Sequence, residues 1–315
     1  MACYSRRGST VLDRNSKLRA VTESQKAVAW ITGAGGLIGS YLVRAAAESR
    51  AQVPRAGGST VAAIVGLTRD ILDLTDGQAV RERFRRDRPS LIIHCAAISK
   101  SVVCERDPAL ARAINVEATR VLADLADGIP FILFSTDLVF DGAKGWYAES
   151  DSVNPLTVYA ETKVAAEQIV LTNPAHTVVR TGPNVGRSPT GDRSFNEELR
   201  RSAEQGKPMK LFIDEFRCPI PAHETARAVW ALAQAGARGL FHIAGSERLS
   251  RWEIGQLLLA RWEQKVKFEP GSIRDYTGPP RSPDTSLDCT KAATVLGREL
   301  PRLSDWLKVH PGEAG

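Results

Sequence analysis

The chain reads as a doubly wound α/β fold, a parallel sheet with helices on both faces, followed by a smaller C-terminal lobe. Three observations predict it. Short apolar runs alternate with helical patterns from Ala27 to Gly182, the signature of successive βαβ units. The runs are continuously apolar, as strands buried on both faces require. Beyond Gly182 the alternation weakens and loops lengthen.

The elements follow in order. Ala27–Thr32 is a buried strand, closed by a glycine cluster, and Leu37–Glu48 is a helix. Residues 49–60, with Pro54, Gly57 and Gly58, form a loop. Val61–Val65 is the second strand, Asp76–Arg86 a helix, and Leu91–Ala97 the third strand. Asp107–Ala126 is one long helix, Pro130–Ser135 a strand, Pro155–Leu171 a helix and His176–Arg180 a strand. After the loop at 183–193, helices are expected at 194–205, 224–236, 251–264 and 303–309. A strand is expected at Gly239–Ala244 and a further loop at 270–284. The spacing divides the chain into a basic, polar extension (1–25) without order, a sheet domain (26–182) and a lobe (183–315) that partly returns to the sheet. Asp13 and Glu23 argue against a transit peptide in the extension.

Composition excludes several classes. With 315 residues, 43% of them hydrophobic, the chain buries a sizeable core. Its net charge is +6, with arginines clustered at Arg81, Arg83, Arg85, Arg86 and Arg88. The run reads as a solvated helix face and not as a nucleic-acid surface. The five cysteines and five histidines are scattered, with no CxxC pair, so neither a disulfide framework nor a metal site is signalled. No apolar run reaches the length of a membrane span.

Five motifs carry chemistry. Gly33-Ala34-Gly35-Gly36-Leu37-Ile38-Gly39 lies between the first strand and first helix. Three glycines there permit a tight turn, close approach to a pyrophosphate and close helix–strand packing, at a helix N-terminus that favours anions. The sheet is therefore Rossmann-type and the ligand a dinucleotide. At the end of the second strand stands Arg69, where an NAD site commonly has an acid. A guanidinium there suits a 2′-phosphate, so NADP is preferred and NAD allowed. Asp73, beside Leu74, either accepts from the adenine amino group or makes a turn.

Tyr159 and Lys163 stand four residues apart and share a helix face. A free phenol has a pKa of about 10. A nearby ammonium is expected to lower it, which makes Tyr159 a general acid worth about 10²- to 10⁴-fold in rate. Lys163 is also placed to hold the nicotinamide ribose. Ser135-Thr136-Asp137 ends a strand, where ligands of open α/β sheets bind. Thr136 is expected to polarise a substrate carbonyl, with Asp137 assisting.

Taken in order, Gly33xxGly36xxGly39, Ser135-Thr136-Asp137 and Tyr159xxxLys163 resemble the extended short-chain dehydrogenase/reductases. Within them the chain is most similar to the dTDP-4-dehydrorhamnose reductases and their relatives. Supporting stretches are Leu72-Asp73-Leu74-Thr75-Asp76, Ala96-Ala97-Ile98-Ser99, Asn115-Val116-Glu117, Leu138-Val139-Phe140-Asp141-Gly142, Asn154-Pro155-Leu156 and Asp214-Glu215-Phe216-Arg217-Cys218-Pro219-Ile220. The likeness spans residues 27–300.

The resemblance implies a cytoplasmic enzyme, with a homodimer allowed, that reduces the 4-keto group of a nucleotide-linked deoxysugar with NAD(P)H. It implies that Ala96, Ala97 and Asn115 lie at the cofactor, with Asn115 placing the lysine through a water. It implies that Ser99, Thr136, Arg180 and Arg217 face the substrate, and that the C-terminal lobe binds the sugar nucleotide. Two positions depart from the family. Leu138 stands where a Tyr is common, and Arg180-Thr181-Gly182-Pro183-Asn184-Val185-Gly186 lacks a Trp. Alternatives on the same fold are a nucleotide-sugar epimerase or dehydratase, or a non-catalytic NADP-binding regulatory subunit. Leu138 stands where a dehydratase needs an acid.

Overall fold

A computed structural model describes residues 27–48, 61–206, 209–262 and 268–314. The expectations for residues 1–25, for the 49–60 loop and for the end of the 251–264 helix lie outside the described residues.

Along the chain, β1 (Ala27–Thr32), α1 (Leu37–Glu48), β2 (Val61–Leu67), α2 (Gly77–Asp87) and β3 (Leu91–His94) come first. Then follow α3 (Ser101–Arg106), α4 (Pro108–Arg112), a π-turn (Ala113–Glu117), α5 (Ala118–Leu125), β4 (Phe131–Thr136), α6 (Val158–Leu171) and β5 (Thr177–Thr181). The rest comprises β6 (Asn184–Val185), α7 (Phe195–Glu204), β7 (Met209–Phe212), β8 (Phe216–Arg217), β9 (Ile220–Pro221) and α8 (Ala222–Gln234). It continues with β10 (Gly239–Ile243), β11 (Leu249–Ser250), α9 (Arg251–Leu259), β12 (Phe268–Gly271), α10 (Thr290–Leu296) and α11 (Leu303–Val309).

Six parallel strands form the main sheet in the order β10-β5-β4-β3-β1-β2. Side-chain alternation divides its two faces. Ala29, Ile31, Ile93, Ile132, Phe134 and Val179 pack towards α1 and α8. Trp30, Ile92, Phe131, Leu133 and Val178 pack on the opposite face, against the α5 and α6 side chains Leu122, Ala166 and Val170. Trp30 also meets Phe84 edge-on and donates to Asp87 at 3.1 Å. A third apolar cluster, with Val185, Leu199, Leu211, Ile254, Leu258 and Leu303, lies apart and centres the lobe. Although late in the chain, α8 and β10 belong to the sheet layers, and Trp230 of α8 donates to the Leu42 carbonyl of α1 at 3.0 Å.

The structure differs from the sequence reading at two places that matter. The third strand stops at His94, because the Ala96 N–H turns to the Thr32 hydroxyl (3.4 Å) and pairing with β4 ends at His94. The single helix expected over Asp107–Ala126 is broken by the π-turn and preceded by the unexpected α3. Asp107 caps α4 by accepting from the Leu110 N–H at 2.9 Å. A π-turn shifts the helical phase by one residue, and here it carries Asn115 into the interior. Chain order reverses between β1 and β3, and open sheets offer a crevice beyond the strand ends at such a point.

Candidate active site

The crevice is floored by the glycine loop. Gly33 has φ +68°, and a Cβ on it would stand 2.7 Å from the Ala96 backbone nitrogen. A Cβ on Gly39 would collide with the Gly33 carbonyl. Neither position accepts a side chain, so strand, loop and α1 come together closely. The loop is tied by Gly36 N–H to the Gly33 carbonyl (2.8 Å) and by Ala34 N–H to the Leu67 carbonyl (3.2 Å). Leu37 is buried and Ile38 half-buried beneath it. This cradle fits a pyrophosphate, which binds backbone N–H groups at a helix N-terminus.

Beneath the cradle runs a chain of buried hydrogen bonds. Thr119 donates its hydroxyl to the Asn115 carbonyl (2.8 Å), so its oxygen accepts from His94 Nε2 (3.0 Å). His94 Nδ1 then accepts from the Thr32 hydroxyl (2.6 Å). Burial lowers the His94 pKa to about 3, and the neutral ring suits this single tautomer. At the rim, Arg69 is exposed and lies 3.9 Å from Asp73. Asp73 Oδ1 accepts from both the Thr75 N–H (2.9 Å) and hydroxyl (2.7 Å), a turn of its own, while Leu74 joins the core. Ala96 and Ala97 are half-buried beside the loop, and Ser99 is exposed.

Helix α6 supplies Tyr159 and Lys163 on one buried face, together with Thr162, Ala166 and Glu167. Thr157 caps it by accepting from the Ala160 N–H at 3.2 Å. Thr136, at the end of β4, hydrogen-bonds Tyr159. It also donates to Asp137 (3.1 Å) and accepts from the Leu138 N–H (3.2 Å). The Tyr159 hydroxyl is pushed up from its ordinary pKa, first by burial and then by the Asp137 carboxylate. The Thr136 hydrogen bond and the Arg217 charge oppose this. The expectation of a lowered phenol pKa is thus reversed, because the ring sits in an apolar cluster of Cys104, Ala111, Ile98, Leu138 and Val158. Lys163 moves the other way. Burial lowers it to about 8, with Glu167 and Cys95 opposing.

Four residues are held inward, away from the roles expected of them. Asp137 is fully buried and gripped by both Arg217 Nε and Nη2, and it also accepts from the Thr285 hydroxyl (3.1 Å). Asp137 therefore anchors Arg217 rather than facing a substrate, and Arg217 spends two donors inward. Arg180 does not reach outward either. Its Nε and Nη2 hold Glu167 at 3.0, 3.2 and 2.7 Å in the interior. Asn115 is locked by Ile98 and Thr162, accepting from the Ile98 N–H (2.9 Å) and donating to the Ile98 carbonyl (3.1 Å) and Thr162 hydroxyl (3.0 Å).

Sequence reading missed His94, Thr32, Glu167, Thr285 and Glu215. Glu167 was visible as the next position on the Tyr159–Lys163 face. Glu215 is buried between Arg251 (3.1 Å), Arg281 (2.8 Å) and Arg217 (3.6 Å), and no local pattern marked it. Among the described residues no group of His, Cys, Asp and Glu is placed to hold a metal ion, and no helix is long and apolar enough to cross a membrane.

Comparison with known proteins agrees with this geometry. The family described as RmlD substrate binding domain matches residues 28–309. The dTDP-4-dehydrorhamnose reductase of Sinorhizobium fredii is 31% identical over 254 residues, covering 76% of this chain and 85% of that protein. Methionine adenosyltransferase 2 subunit beta of Xenopus laevis is 29% identical, covering 87% of this chain and 84% of that protein. The solved structure of dTDP-4-dehydrorhamnose reductase from Bacillus anthracis in complex with NADP shares the fold. Its TM-score is 0.80 at 23% identity, over 90% of this chain and 98% of that one.

Proposed function

Because the chain belongs to the RmlD substrate binding domain family, we propose that it is an NAD(P)H-dependent reductase of a nucleotide-linked 4-keto-deoxysugar, a dTDP-4-dehydrorhamnose reductase of dTDP-L-rhamnose biosynthesis. The carrying observation is the convergence of Tyr159, Thr136 and Lys163 beside a glycine cradle that excludes side chains. NADP is preferred and NAD accepted, with Arg69 at the rim for a 2′-phosphate. The substrate is a small molecule, with no nucleic-acid or membrane partner, and the enzyme works in the cytoplasm. The sheet half, 26–182, binds the cofactor, and 183–315 holds the sugar nucleotide.

When bound, the nicotinamide supplies a hydride to the sugar carbonyl carbon. Tyr159 holds the proton that the carbonyl oxygen needs. Its raised pKa keeps the hydroxyl protonated at rest, and Thr136 beside it would turn its own hydroxyl from Asp137 to the same oxygen. Lys163 holds ribose hydroxyls, and Leu138 walls the phenol from water. Asp137 and Arg217 act as a rigid floor.

The test is NADPH oxidation with dTDP-4-dehydrorhamnose, comparing wild type with Tyr159→Phe. Turnover that collapses in the variant supports the reading. Wild type that binds NADPH yet turns over no keto-sugar overturns it. That outcome would favour a second reading, a non-catalytic subunit, which the likeness to methionine adenosyltransferase 2 subunit beta supports.

A further inference from the structure

We infer that Glu167 and Arg180 form a buried positioning pair that fixes the place and the charge of Lys163, an inference that rests on the reductase reading for the lysine's role. Lys163 is only 3% exposed, and an ammonium taken out of water needs a countercharge. The titratable groups that face it are Glu167 and the protonated phenol of Tyr159 from its own helix, and Cys95 and His94 from the end of β3. Burial keeps the Cys95 thiol protonated and the His94 ring neutral. Asn115 and Thr162, which meet on the same side of α6, carry no charge. Of these groups, Glu167 alone can balance the lysine. It stands one helical turn on, on the same face.

Glu167 does not swing freely. Arg180 of β5 holds both its oxygens, and both side chains are buried. The Arg180 guanidinium lies 5.0 Å from the centre of the Phe140 ring, which itself stacks on Tyr147 at 4.0 Å. On the far side lies His242. Its Nδ1–H points to the Tyr147 (3.0 Å) and Asp288 (3.2 Å) carbonyls, and burial and the Arg180 charge lower it to about 4. Arg180 is thus fixed from the sheet, and Glu167, fixed by Arg180, keeps its carboxylate on the buried α6 face that carries Lys163. A simple Arg–Glu pair would be neutral. Adding Lys163 makes a triad with one net positive charge, presented at the cradle.

The test reads NADPH affinity against pH by protein fluorescence, in wild type, Glu167→Gln, Glu167→Asp and the double variant Glu167→Gln/Arg180→Met. The double variant strands no arginine, and Lys163, left without its carboxylate, can shed its proton, so the measurement is still made if the single variant does not fold. Wild-type affinity is expected to fall as pH rises through about 8. Without the carboxylate the midpoint should drop by about one pH unit or more, and Glu167→Asp should restore it. A folded variant whose midpoint matches wild type would overturn the inference. Because the readout is binding, it stands even if no keto-sugar is turned over, so failure of the reductase reading is seen separately.

Discussion

Arg217 closes both ends of its guanidinium fork on the carboxylate of Asp137, across 80 residues of sequence, with both side chains buried. The Asp137 charge raises the arginine's pKa against the effect of burial. Removing one member of such a pair strands the other. Arg217→Met is therefore expected to cost about 3–5 kcal/mol, and Asp137→Asn/Arg217→Met much less. Urea unfolding of the single and double variants checks this. Equal losses in all of them would mean that the residues act independently.

Tyr159→Phe keeps the ring and deletes only the hydroxyl. The turnover rate should fall by about 10²- to 10⁴-fold, while NADPH affinity and melting temperature stay near wild type. Steady-state rates and fluorescence titration separate the two effects. A variant that keeps more than a tenth of the rate would move the proton donor elsewhere.

Arg69 reaches solvent at the end of β2, with a side chain 79% exposed. A charge-assisted contact to a 2′-phosphate is worth about 1.5–3 kcal/mol. Arg69→Ser should weaken NADPH binding by about ten- to a hundredfold and leave NADH nearly unchanged. Equal weakening of both would show that Arg69 does not read the 2′-phosphate.

Lys163 also couples stability to pH. Its folded pKa, about 8, lies below the ordinary lysine value of 10.5. Between these values the unfolded chain binds more protons than the folded one, so this group's contribution to stability rises with pH across that window. Below about pH 8 the buried ammonium imposes its full cost. Lys163→Met should therefore stabilise the fold more at pH 7 than at pH 10, as read by denaturant midpoints. A difference that does not change with pH would contradict the lowered pKa.

Much of the architecture was legible in local pattern. Glycines spaced to avoid a Cβ clash, apolar strand runs and a four-residue spacing on one helix are properties of neighbouring residues, so sequence alone determined β1, the cradle, α1 and the Tyr159–Lys163 face. It also showed Thr136 at a strand end. Local pattern did not reveal the π-turn, because a one-residue phase shift hides within an apolar helix, nor the short strands β7 and β12 that pair in the lobe. It also could not show which charges meet. Arg180 was legible as a residue at a strand end, yet its partner Glu167 lies on a helix packed across the sheet. Asp137 and Thr136 are adjacent in sequence, but Arg217 of β8 and Thr285, both distant in sequence, decide that Asp137 is an anchor and that Thr136 remains beside the phenol. The sign of the Tyr159 shift was likewise a tertiary matter. The sequence named a lysine one turn away, whereas burial and the facing carboxylate outweigh that pairing. Periodicity specifies which face of an element turns inward, and only packing specifies what that face meets and how dry the meeting is.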